Sequence, residues 1–179
     1  MRPMKPDPGI RVQAVRIPTE NGGVSALLLS PLTAPKNAAG ILWLHGGGYI
    51  AGMKEMVHAS RAVDLVKKFG AVVLSPGYRL ALKAPYPAAI DDCYAALLYL
   101  KAHAAAFGVR SDQLMVGGES AGVPAELDVY HSDMHAFDMI RPDDVLSIQA
   151  AEAFNTRFAD AQARFFAPQH EIQEERHDS

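Results

Sequence analysis

Apolar and polar positions along this chain fall into two alternating rhythms. From Arg11 to Pro18 the apolar residues Val12, Ala14, Val15 and Ile17 predict a strand. Asn21-Gly22-Gly23 is turn chemistry, since both central positions tolerate positive φ, and Val24 to Ser30 predicts a second strand. The chain is therefore expected to open with an antiparallel hairpin. Thr33 to Gly40 reads as a loop. Ile41-Leu42-Trp43-Leu44 is apolar throughout, the pattern of a strand covered on both faces.

After it the period changes. Val57, Val63, Val66 and Phe69 recur at helical spacing, and Gly70 follows as a natural helix terminator, so a helix is predicted over Val57 to Phe69. Ala71 to Pro76 predicts another covered strand. Pro87 to Gly108 predicts a long helix, with Asp91 and Asp92 in the early turns where the helix dipole favours carboxylates. Leu114-Met115-Val116 predicts a short strand. Asp143 to Phe166 predicts a last helix with Val145, Ile148, Ala151, Phe154, Phe158, Ala161 and Phe165 on one stripe. Strand alternating with helix is the rhythm of a mostly parallel sheet flanked by helices, an α/β fold.

Composition agrees with this. The chain has 179 residues, 49% hydrophobic and 21% charged, which suits one globular domain, here 1–167, with a polar, frayed tail at 168–179. The net charge of −3, with no basic block, argues against nucleic acid or an anionic membrane as partner. No apolar run reaches the roughly 18 residues of a membrane span, and the proline-rich N-terminus lacks a signal-peptide core. Cys93 is alone, so it forms no intrachain disulfide. This tilts the expected location towards the cytoplasm.

Two short motifs carry the chemistry. Gly118-Glu119-Ser120-Ala121-Gly122 fits G-x-S-x-G directly after a predicted strand, where the glycines permit a sharp turn that lifts the serine Oγ clear of the sheet. His45-Gly46-Gly47-Gly48 follows an earlier strand, and its glycines let backbone N–H groups face a developing negative charge. A phosphate loop of the G-x-x-x-x-G-K-[ST] type is absent. His131 and His135, with Asp133 between them, lack a third ligand at metal spacing, so no metal is expected. Cys93 reads as a small buried hydrophobe.

These two motifs, in this order on successive strands, resemble the hormone-sensitive-lipase-like (HGGG / GESAG) carboxylesterases of the α/β-hydrolase family. Tyr78-Arg79-Leu80-Ala81 and Tyr86-Pro87-Ala88-Ala89-Ile90-Asp91-Asp92 resemble that family's segment before its long helix. The resemblance implies Ser120 as nucleophile, Gly47, Gly48 and the N–H of Ala121 as oxyanion hole, and His135, within Met134-His135-Ala136-Phe137-Asp138, as general base. His45 is expected to order its loop rather than transfer protons. No cofactor is implied.

The family pattern is interrupted after the nucleophile. Only 14 residues separate Ser120 from His135, and Glu126, Asp128 and Asp133 stand in no recognisable acid loop, so the catalytic acid is unassigned. Asp133 and Asp138 are local substitutes only. The text near 122–124 joins two family contexts and implies an internal deletion. Ala125 to His131 then has two readings. As a returning antiparallel strand of seven residues it would run about 23 Å and carry His135 to the opposite edge of the sheet from Ser120. As a helix begun by Pro124, with Leu127, Tyr130 and Met134 on one side, it would keep His135 nearer. Gly77 and Leu82-Lys83 also depart from the family's Asp and Pro-Glu.

The implied activity is hydrolysis of small, short-acyl esters through an acyl-enzyme. The alternative is a catalytically inactive fragment that binds a ligand or partner. Loss of neighbouring strands would leave an open sheet edge, so self-association through that edge is expected, including assembly in which a second chain supplies the missing neighbour.

Overall fold

The structure, a computed structural model, describes residues 4–20, 22–119 and 141–165. Among these residues, five strands form one sheet: β1 (Ile10–Ile17), β2 (Val24–Pro31), β3 (Ala38–Leu44), β4 (Val72–Pro76) and β5 (Val109–Gly118), in the spatial order β1-β2-β4-β3-β5. β1 and β2 make the expected hairpin, and β2 pairs antiparallel with β4. β3 lies between β4 and β5 and is parallel to both. Four strands thus point one way and β2 alone runs against them.

Among the described residues, three helices cover the two faces: α1 (Ala62–Phe69), α2 (Ala88–Ala102) and α3 (Val145–Phe165). The alternation of strand side chains decides which face each helix covers. Leu27, Leu29, Ile41, Trp43 and Val73 face α1 and α3, together with Val63, Leu65, Val66 and Phe158. Ala26, Leu28, Leu42, Leu44, Val72 and Leu74 face α2 through its Ala96 and Leu100. The all-apolar reading of Ile41 to Leu44 holds because β3 is central and covered on both sides.

Several boundaries differ from the predicted ones. β3 begins at Ala38, inside the stretch read as a loop, because Ala38 already pairs with Val109. The same pairing extends β5 from three residues to ten, through a register irregularity between Ala38 and Gly40. The single helix expected over Val57 to Phe69 is a 3₁₀ segment, Lys54–Ala59, followed by α1. Ser60 divides them: its Oγ donates to the Val57 carbonyl at 2.8 Å and accepts the Ala62 N–H at 3.0 Å. Gly70 ends α1 in the left-handed region at φ 67°, as expected. α2 stops at Ala102, and a 3₁₀ turn over Ala105–Phe107 completes the stretch read as helix.

The stripe expected on α3 holds through Phe154 and Phe158 but not in the first turn. Val145 and Ile148 are exposed, whereas Ser147 is buried and Phe154 and Phe158 pack on the core. The Ser147 carbonyl accepts from Arg61 Nη2 at 3.4 Å, fixing the start of α3 beside α1. Trp43 meets Phe154 edge-on at 6.2 Å.

Candidate active site

The parallel strands β3, β4 and β5 all end at one edge of the sheet, the edge at which ligands bind in open α/β folds. Leu44, the last residue of β3, is in register with Gly118, the last of β5. Both motifs therefore emerge side by side. The Glu119 N–H donates to the Leu44 carbonyl at 3.0 Å, continuing the ladder one residue past the strand. A Cβ on Gly46 would stand 2.9 Å from the Glu119 carbonyl oxygen, so the two turns approach closely enough to require glycine.

The loop after β3 is held by its own backbone. Gly47 has φ 116°, and a Cβ there would lie 2.1 Å from the Ala51 carbonyl oxygen. That same Gly47 offers its carbonyl to the N–H groups of Ile50 and Ala51, at 3.1 and 3.0 Å. Gly48, at φ 60°, has open space where its Cβ would be. The N–H groups of Gly47 and Gly48 donate to no backbone carbonyl among the described residues. Tyr49 is left-handed at φ 62° without being glycine, and the Ala81 N–H holds its carbonyl at 2.7 Å.

His45 anchors the base of this loop. Its ring is buried and lies flat on Tyr78, with centroids 4.1 Å apart and planes 6° from parallel. The Tyr78 hydroxyl donates to the His45 carbonyl at 2.7 Å. His45 Nδ1 lies 2.9 Å from the Gly46 carbonyl, which can only accept, so Nδ1 carries the proton. Burial lowers the pKa of His45 against smaller opposing contributions from the Gly46 hydrogen bond and Glu55, and this favours a neutral ring. Burial also pushes the Tyr78 hydroxyl up to about 12, so it remains a donor.

A second anchor ties the loop after β4 to α2. Asp92 is buried, accepts the Arg79 backbone N–H at 2.9 Å, and receives Nε and Nη2 of the same guanidinium at 2.9 Å each. Of the two carboxylates expected to serve the dipole of α2, only Asp91 has that role; Asp92 serves this ion pair. Neither Tyr78 nor Arg79 has an assigned role in the sequence reading, although both stand in the quoted Tyr-Arg-Leu segment. Cys93, beside Asp92, is half-buried rather than fully so, and burial pushes its thiol up to about 12.

The structure thus brings Gly47 and Gly48 to the edge from which Glu119 leads towards Ser120. Ser120, Ala121, His131 and His135 lie outside the described residues, as do the carboxylates Glu126, Asp128, Asp133 and Asp138 and the junction at 122–124. Among the described residues, no group of three or more His, Cys, Asp or Glu is placed to hold a metal. No helix among them is long and apolar enough to cross a membrane.

Known proteins share this arrangement. The sequence profile of the alpha/beta hydrolase fold matches residues 41–129, from β3 through both motifs. The chain is 33% identical to the hormone-sensitive lipase of Bos taurus over 96 residues, 54% of this chain and 13% of that protein. The chain has the α/β-hydrolase fold and is similar to the hormone-sensitive-lipase-like esterases. It is also 33% identical to Esterase LipI of Mycobacterium tuberculosis over 117 residues, 64% of this α/β-hydrolase and 36% of that protein. Among solved structures, the thermostable carboxylesterase EstE1, cloned from a metagenomic library, superposes with a TM-score of 0.60 at 32% identity, covering 66% of this chain and 40% of that one. A bacterial heroin esterase superposes at 0.57 with 31% identity, covering 62% and 35% respectively. The chain spans roughly a third of the length of the esterases it matches and about an eighth of the lipase.

Proposed function

We propose that this chain is a carboxylic-ester hydrolase acting on short-acyl esters through a serine acyl-enzyme. The observation that carries this reading is the pairing of Leu44 with Gly118, which sets the N–H groups of Gly47 and Gly48 beside the turn entering Ser120. In the proposed mechanism Ser120 attacks the ester carbonyl and His135 takes its proton. The tetrahedral oxyanion is bound by the N–H groups of Gly47, Gly48 and Ala121. His135 then returns the proton to the departing alcohol, and water hydrolyses the acyl-serine. The esterases among the relatives support the substrate class. No acid is assigned to orient His135, so a Ser120–His135 dyad is the proposed machinery.

The site needs no cofactor in this reading. The partner is a small ester, with neither nucleic acid nor a membrane span, and the single cysteine supports a cytoplasmic location. β5 is the outer strand and pairs only with β3 among the described residues, which supports self-association through its free side.

A fluorophosphonate tests the mechanism, because it phosphonylates only a serine that is activated. Mass spectrometry is expected to find one adduct, on the peptide containing Ser120, and none in Ser120→Ala. An unlabelled Ser120 under conditions that label a reference esterase would overturn the proposal. That outcome would favour the second reading, an inactive ligand- or partner-binding module.

A further inference from the structure

α2 is apolar almost all round. Its only charged residues are Asp91, Asp92 and Lys101, and Asp92 is turned inward to Arg79. Ala88, Asp92, Ala96 and Leu100 form the buried side. On the opposite side stand Ile90, Tyr94 and Leu98, at four-residue spacing, exposed by 51%, 61% and 48%. A helix that is apolar on every side belongs in an interior, whereas a surface helix normally turns a charged face to water. The only charges on the exposed part of this helix are Asp91 in its first turn and Lys101 in its last.

We infer that this face of α2 is covered by α2 of a second copy of the chain, packed antiparallel about a two-fold axis at Tyr94. The stripe is self-complementary about that point. Two-fold symmetry sets Ile90 opposite the partner's Leu98 and Tyr94 opposite the partner's Tyr94, over about 12 Å of helix. It also brings the acidic first turn of each helix towards the basic last turn of the other and opposes the two helix dipoles. A parallel pair would instead set Asp91 against Asp91 and Lys101 against Lys101. The charge at the two ends therefore selects a second, antiparallel copy. Three large side chains are far fewer than the 20–30 residues per side of a standard interface, so the dimer is weak and reversible, with micromolar dissociation. The inference is independent of ester hydrolysis.

Sedimentation velocity on the full chain between about 1 and 200 μM, at low salt, tests it. A concentration-dependent monomer–dimer equilibrium is expected. Tyr94→Arg and Ile90→Glu, both at exposed positions, should each raise the dissociation constant at least tenfold, with circular dichroism reporting that the fold is kept. Asp91→Lys alone should weaken the dimer severalfold, and Asp91→Lys with Lys101→Asp should restore it. A monomer throughout that range would overturn the inference. So would a dimer that survives Tyr94→Arg and Ile90→Glu but is lost in Val116→Lys, which would assign association to the free side of β5 instead.

Discussion

Tyr78 and His45 hold the glycine loop from below: the phenol ring stacks on the imidazole at 4.1 Å while its hydroxyl donates to the His45 carbonyl at 2.7 Å. One residue from the β4 loop thereby fixes the point at which β3 gives way to Gly46, Gly47 and Gly48. Stacking and hydrogen bond have separate consequences. Tyr78→Phe keeps the ring but leaves a buried carbonyl without its donor, and is expected to cost about 1–2 kcal/mol, or roughly 3–6 °C in Tm. Tyr78→Ala also removes the ring from the core and should cost more. Thermal denaturation of the two variants separates the contributions.

Gly47 and Gly48 adjoin, yet their demands differ. Gly48→Ala meets open space and carries only the cost of a left-handed residue, about 1–2 kcal/mol. Gly47→Ala combines a φ of 116° with a Cβ 2.1 Å from the Ala51 carbonyl oxygen, so the loop must shift. Gly47→Ala should therefore lose more stability than Gly48→Ala, together with any esterase activity. Paired melting and hydrolysis measurements check the order.

The Arg79–Asp92 pair is lopsided, with the carboxylate buried and the guanidinium about a third exposed. Removing the cation strands a buried charge, whereas removing the anion frees a cation that reaches water. Arg79→Met is thus expected to lower Tm more than Asp92→Ala. Urea midpoints of the two variants decide it, and the reverse order would contradict this account of the ion pair.

Stability should depend on pH through His45 and His58. Burial lowers the pKa of both below the ordinary value of 6.5. The unfolded chain then binds more protons than the folded one once pH drops below about 6.5, so stability falls with falling pH. Their contribution is complete above that value and is lost progressively towards the lower folded pKa values. Glu55, whose pKa is also lowered, chiefly by its hydrogen bond to Lys54, adds its own loss only below its ordinary 4.5. A Tm that is flat above pH 7 and declines from 6.5 to 5 is expected, with a shallower decline in His58→Gln.

The sheet is legible because β3 and β4 are covered on two faces and read as apolar runs. Residue-level patterns also predicted the end of α1 at Gly70. What escaped the pattern was decided by single polar contacts. Ser60 splits one apparent helix in two by bonding Val57 and Ala62, which hydrophobic period does not register. β5 begins at Val109 because β3 pairs there, although Arg110 and Asp112 make the stretch read as polar; they bind each other at 2.7 Å. The α3 stripe departs from its expected course only in the first turn, where Ser147 rather than Val145 or Ile148 turns inward and its carbonyl accepts from Arg61. At the site, the glycines were legible from turn chemistry, whereas the anchoring roles of Tyr78 and Asp92 depend on contacts between loops that neither spacing nor period encodes.

The most direct measurement is hydrolysis of p-nitrophenyl acetate by the full chain beside Ser120→Ala and His135→Ala. The account predicts turnover above the uncatalysed rate in the unaltered chain, falling at least about 10³-fold in Ser120→Ala and to a similar level in His135→Ala. Equal, near-background rates in all three proteins would contradict it and leave a hydrolase fold without the hydrolase's chemistry.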